Sequence, residues 1–128
     1  MKNYLTLLLL FICILSGNAQ TKETEIPITI ESVSKKWVFS DVINPALSKE
    51  QYEEMAEMLA ATEIEFRKDM TFTFSFIADL EGTWSLNKNV ITTKDRRGKT
   101  TWTIHQLKSN EIIMSRDEAV QKIVFKAK

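Results

Sequence analysis

The stretch "TFTFSFIADLEGTWSL", residues 71–86, decides how the rest of the chain is read. Phe72, Phe74 and Phe76 occupy every second position, with Thr71, Thr73 and Ser75 between them. Successive side chains of a strand point to opposite faces, so this spacing predicts a half-buried strand with three rings on one side. Residues 78–82 then give a turn signal ending at Gly82, whose missing side chain suits a reversal of the chain. Trp84 and Leu86 restart the apolar face on a second strand. Strands joined by so short a link are antiparallel, because a parallel pair needs a long crossover.

Period-two alternation extends in both directions from this hairpin. Downstream, "VITTK" (90–94), "TTWTIHQL" (100–107), "EIIMS" (111–115) and "VQKIVFKAK" (120–128) are separated by the turn segments "DRRGK", "KSN" and "RDEA". Upstream, Ile64 and Phe66 precede a turn at Lys68 and Asp69, and "KWVFSDV" (36–42) sets Trp37 and Phe39 on one face. Short strands with turn signals roughly every 8–12 residues form a meander. Counting the first strand, there are about eight, the number at which a sheet closes into a small barrel. The expected class is mainly β, an up-and-down antiparallel barrel.

One helix interrupts the strands, between the first and the second. Ser48 with Gln51 three residues on forms a reciprocal capping pair. Tyr52, Met55, Ala56 and Leu59 follow helical spacing, while Glu50, Glu53, Glu54 and Glu57 fall mostly elsewhere. The result is an amphipathic helix of about four turns laid on something apolar. Its acidic polar face argues for a lid on the protein's own core over a membrane-lying helix, which usually carries Lys and Arg there.

The first residues carry Lys2, an apolar run over 4–15, then Ser16, Gly17, Asn18 and Ala19, the three-part layout of a secretory signal peptide cut after Ala19. The run is too short for a comfortable membrane span. The expected organisation is therefore a signal peptide over 1–19, an N-terminal leader or edge arm over 20–34, and a barrel over 35–128. The protein would be exported, to the periplasm or beyond the cell, and would not be an integral membrane protein once processed. Cys13, the one cysteine, lies inside the signal core. Ile12 before it does not suit lipoprotein processing. The mature chain then has no thiol for disulfides, nucleophilic catalysis or metal binding.

About 109 residues remain (128 minus 19), enough for one modest core. Loss of Lys2 leaves 16 basic against 17 acidic residues, from 17 and 17 in the whole chain. That balance gives no support to nucleic acid as a partner.

With these pieces in this order, "KKWVF", "IEFRKDMTFTF", "GTWSL" with "VITT", "WTIHQLKSNEIIMS" and "KIVFKAK", the chain resembles the small exported lipocalin-like domains of Bacteroidetes-type bacteria, within the calycin group of barrels. The resemblance covers most of the chain from Lys36 onward. It implies a lipocalin-like barrel and a ligand-binding role. Two departures stand out: Met70 occupies a turn position where such proteins often have glycine, and Gly82 with Trp84 fall late, whereas true lipocalins place theirs on the first strand.

Few residues offer chemistry. His105, the single histidine, alternates out of phase with Trp102 and Ile104 and is expected to face solvent. Asp79 and Glu81 flank Leu80 without the ligand spacing of a calcium loop. "KDRRGK" (94–99) reads as a solvated hairpin turn, in reach of an anionic sugar or a protein. No catalytic residue, metal site or cofactor is expected. Two functions follow. One is a non-enzymatic carrier of a small apolar or amphipathic ligand, with Phe74, Trp84, Trp102 and Met114 near the ligand. The other is an envelope protein-protein interaction module with a sealed core. A cavity of at least about 300 Å³ between sheet and helix separates the first from the second.

Overall fold

The computed structural model describes residues 24–128. The expected signal peptide, 1–19, lies outside the described residues.

Eight antiparallel strands close into a barrel in which each strand pairs with its neighbours in sequence and the last pairs with the first. They are β1 (Lys36–Ile43), β2 (Glu63–Phe66), β3 (Thr71–Ser75), β4 (Asp79–Asn87), β5 (Val90–Asp95), β6 (Gly98–Leu107), β7 (Glu111–Arg116) and β8 (Lys122–Ala127). Among the described residues two helices accompany them, α1 (Ile30–Val33) ahead of β1 and α2 (Lys49–Leu59) between β1 and β2. The mainly β class, the strand count and the place of the long helix agree with the sequence reading. Closure removes sheet edges, which a small exposed sheet would otherwise have to protect.

The hairpin that opened the reading is tighter than its sequence suggests. Ser75 pairs with Asp79, so the reversal occupies 76–78 and residues 79–82 already belong to β4. The expected turn over 78–82 is corrected accordingly. Leu80, Gly82 and Trp84 share one phase, and Leu80 is buried as Trp84 is. Glycine left a gap in that apolar face and made a continuous strand look broken. Gly82 does not have positive φ; space, and not backbone freedom, selects it. Met70, by contrast, adopts φ 69° in the loop between β2 and β3, the left-handed conformation for which glycine is usual.

Both ends of the barrel can be followed from the strand directions. At the end holding the 67–70 loop, the N-terminal arm crosses the barrel: Glu25 bridges to Lys108, the Ile26 amide donates to the Leu107 carbonyl at 3.0 Å, and Glu31 pairs with Lys68 at 3.6 Å. α1 follows, started by a capping box in which Thr29 and Ser32 serve each other's amides. It inserts Val33, fully buried, into the core. The Trp37 indole donates to the Val33 carbonyl at 3.0 Å and the Trp84 indole to the Arg67 carbonyl at 2.9 Å, so two large rings are buried without an orphaned N–H. Phe66 packs at a tilt against Trp84, with centroids 5.1 Å apart and ring planes 54° from each other. Ile91, Ile104, Ile112 and Met114 fill the space among these rings, each burial contributing about 1.5–3 kcal/mol. This end is solid.

The opposite end is built differently. β1 pairs with β2 only through Lys36, Trp37 and Val38. Above that point the Phe39 amide donates to the Thr62 carbonyl at 2.9 Å, and the two chains part. A bulge at Ser40 bends β1 where they separate. α2 fills the gap. Its capping box between Ser48 and Gln51 is present as the sequence implied. No residue of α2 is fully buried, so the helix does not cover a packed core.

Candidate functional site

Between α2 and the mouth of the barrel lies a cavity of about 390 Å³. An eight-strand barrel is just wide enough to be filled by its own side chains, and the aromatic layers explain why this one is filled only in part. The lower rings occupy one half of the barrel. Phe74, Trp102 and Phe125 form the next layer, with Trp102 centred 6.5 Å from each of the other two and edge-on to Phe125. That layer is the floor of the cavity. Phe39, Phe76 and Ile123 continue its apolar wall, and Met55, Met58 and Leu59 of α2 cover it from above. Methionine suits such a cover, since its flexible thioether adapts to irregular shapes.

The wall formed by β5, β6 and β7 is polar. Thr93, Asp95 and Thr100 line a niche of about 10 Å³ next to Trp102, with Arg97 and Arg116 beside it. The two arginines also line the main cavity. The Asp95 side chain is 4% exposed and lies 3.5 Å from Arg97 Nε. Its carboxyl is held below the usual carboxylate range, chiefly by the Arg97 backbone amide donating at 2.7 Å, with the Arg97 and Arg116 guanidiniums adding to the effect. The Asp95 charge is therefore permanent at neutral pH.

Thr62, where β1 and β2 separate, lines the same cavity and is 3% exposed. Its Oγ1 is buried without a hydrogen-bond partner. A buried hydroxyl left unpaired costs about 1–3 kcal/mol. The cavity thus combines an aromatic floor, a flexible apolar cover, an unanswered hydroxyl and a guanidinium pair.

The four residues expected near a ligand divide between the two halves of the barrel. Phe74 and Trp102 line the cavity. Trp84 and Met114 sit in the packed core below, Met114 fully buried. The sequence reading singled out none of Thr62, Arg116 and the α2 methionines as ligand contacts. Arg97 was visible only as a member of "KDRRGK", whose turn places Arg97 over the cavity while Arg96 lies on the outer surface near Asp79 and Glu81. Arg116 follows Met114 by two residues and so shares its inward phase, which is the one signal that could have found it.

The remaining candidates lie on the outer surface. Asp79 and Glu81 are exposed on β4. His105 is the extra residue of a bulge in β6, with Nε2 2.7 Å from Ser115 Oγ. Partial burial, with Lys122 nearby, lowers the His105 pKa below its ordinary value. Neither residue of that pair lines the cavity between α2 and the barrel mouth.

No helix among the described residues is long and apolar enough to cross a membrane. No protein-family model matches the chain, and no curated protein matches it. Among solved structures, the chain is similar to a DUF4847 family protein from Bacteroides vulgatus, with a TM-score of 0.54 and 16% identity over 73% of this chain and 92% of that one. At that identity the likeness is one of fold: an independent chain adopts the same architecture.

Proposed function

We propose that the protein is an exported, non-enzymatic, lipocalin-like carrier that holds a small apolar or amphipathic molecule in the cavity between α2 and the barrel mouth. The observation that carries this reading is the cavity itself, about 390 Å³ and floored by Phe74, Trp102 and Phe125, in the size range of small-molecule sites. An interaction module with a sealed core has less support, because the interior is not filled. Export rests on the layout of residues 1–19, and N-terminal sequencing of protein from the periplasm and medium of an expressing bacterium tests it.

Ligand binding has a built-in reporter. Of the three tryptophans, Trp102 lines the cavity while Trp37 and Trp84 belong to the lower core. Titration with a panel of medium-chain lipids, sterols and retinoids should shift the tryptophan emission of the parent and of Trp84→Phe, and leave Trp102→Phe unchanged. A panel that shifts none of them sinks the carrier reading. A shift that persists in Trp102→Phe puts the ligand elsewhere.

A further inference from the structure

The carrier reading leaves open what kind of molecule the cavity selects, and the polar side of the cavity narrows it. Arg97 and Arg116 are the charged residues among those lining the main cavity. Arg97 comes from the β5–β6 turn and Arg116 from the top of β7, where it pairs with Trp102 in the sheet register. Two independent segments thus bring guanidiniums to the wall beside the aromatic floor.

Neither arginine is fully engaged by protein. Arg97 Nε lies 3.5 Å from Asp95 Oδ1 and Arg116 Nε lies 3.9 Å from Asp117 Oδ2. Both separations exceed the 2.7–2.9 Å or so of a charge-assisted hydrogen bond. Asp117 serves another purpose, its Oδ1 accepting from the Thr101 amide at 3.1 Å. The acidic face of α2 does not compensate, since Glu50, Glu53, Glu54 and Glu57 do not line the cavity. Among the residues that line the niche, Asp95 and the two arginines sum to +1 (two positive, one negative), with Asp117 outside the lining against Arg116.

A guanidinium presents several donors in a planar fork that suits a carboxylate, phosphate or sulfonate. Both arginines remain about half exposed, 51% for Arg97 and 45% for Arg116, so they sit at the rim of the cavity, where a ligand's charged end can reach them while its apolar part lies on the aromatic floor. We infer that the cavity selects amphipathic anions, whose apolar part lies on Phe74, Trp102 and Phe125 and whose charged end lies between Arg97 and Arg116. Asp95 is a positioning residue here: it fixes Arg97 while leaving the pair with surplus positive charge. This inference rests on the carrier reading and specifies the ligand's class.

The test compares three probes with the same ten-carbon chain, decanoate, decanol and decylamine, by calorimetric titration near neutral pH. On the parent, decanoate should bind at least about tenfold more tightly than decanol, with decylamine weakest; tenfold corresponds to 1.4 kcal/mol. Arg116→Gln and Arg97→Gln should each remove most of the preference for decanoate and leave decanol within about twofold, while Arg116→Lys should keep part of it. Arg96→Gln, in the same turn but on the outer surface, should change nothing. Equal binding of decanoate and decanol to the parent, or a preference that survives both glutamine substitutions, overturns the assignment of the charged end and leaves the carrier reading standing. Failure of all three probes to bind overturns both. Unchanged melting of the arginine variants checks that they fold, and Arg116→Lys separates loss of charge from loss of packing.

Discussion

Gly82 and Lys94 approach so closely that a Cβ built on the glycine would lie 1.9 Å from the Lys94 carbonyl oxygen and 2.9 Å from the Phe72 ring. One of these groups is backbone and the other an aromatic ring, and neither can swing aside. Gly82→Ala is expected to destabilise the protein by about 3 kcal/mol, the upper range of overpacking, or to prevent folding. Denaturant melts measure it. A loss below about 0.5 kcal/mol would show that β4 and β5 can move apart and that the spacing at Gly82 is unimportant.

Thr62 carries a buried hydroxyl with nothing to bond. Thr62→Val keeps the shape and removes the unsatisfied oxygen, so the free protein should gain about 1 kcal/mol, which in a domain of this size raises Tm by roughly 4–8 °C. The same change should weaken ligands that bear a hydroxyl or carbonyl able to reach Thr62. A valine variant less stable than the parent would mean that the oxygen has a partner in solution, such as a bound water.

Tyr52 donates a hydrogen bond to Asp41 Oδ1, tying α2 to β1. The bond raises the Tyr52 pKa, since the neighbouring carboxylate opposes ionisation of the phenol. With no buried residue to hold the helix, this tether matters more than its exposed position suggests. Tyr52→Phe should speed amide exchange across residues 49–59 about fivefold, the equivalent of one net hydrogen bond, and hasten ligand release while Tm barely moves. Exchange at the parent rate would mean that the Met55 and Leu59 contacts alone hold the helix.

His105 gives the fold a pH dependence of defined sign. Burial first, and Lys122 second, disfavour its charged form, so its folded pKa lies below the ordinary value of about 6.5. Between the two values the unfolded chain binds more protons and stability rises with pH. The contribution is complete above about pH 6.5 and is lost as pH falls through the folded pKa. Urea midpoints of the parent should therefore decline on going from pH 7.5 to about pH 5.5 more than those of His105→Gln. Identical declines would assign the pH dependence to carboxylates.

Strand order, helix position and closure were legible because each rests on local alternation and short turns. The hairpin at 76–78 was misplaced for one reason: Gly82 stands inward, in phase with Leu80 and Trp84, and an inward glycine reads as a break. α1 was missed because four residues carry no periodicity. The ligand candidates drawn from alternation gave the right face of the sheet but not the height along it. Phe74 and Trp84 both point inward, yet one floors the cavity and the other is sealed beneath it. Height depends on the stagger of neighbouring strands, which period-two alternation does not encode. Thr62 could not be found from sequence, because its lack of a partner depends on where β1 and β2 part.

The short seam between β1 and β2 divides the labour of the chain. Pairing between β1 and β2 stops at Val38 and Glu63, β1 continues against β8 as far as Ile43, and α2, carried in the segment that follows, lies over the cavity without a fully buried side chain. Changes in the length or sequence of that insertion can therefore reshape what the cavity accepts while the lower barrel, sealed by Val33 and Trp37, continues to supply stability. On the carrier reading, exchanging that one helix diversifies the ligand, with the eight strands as a constant frame.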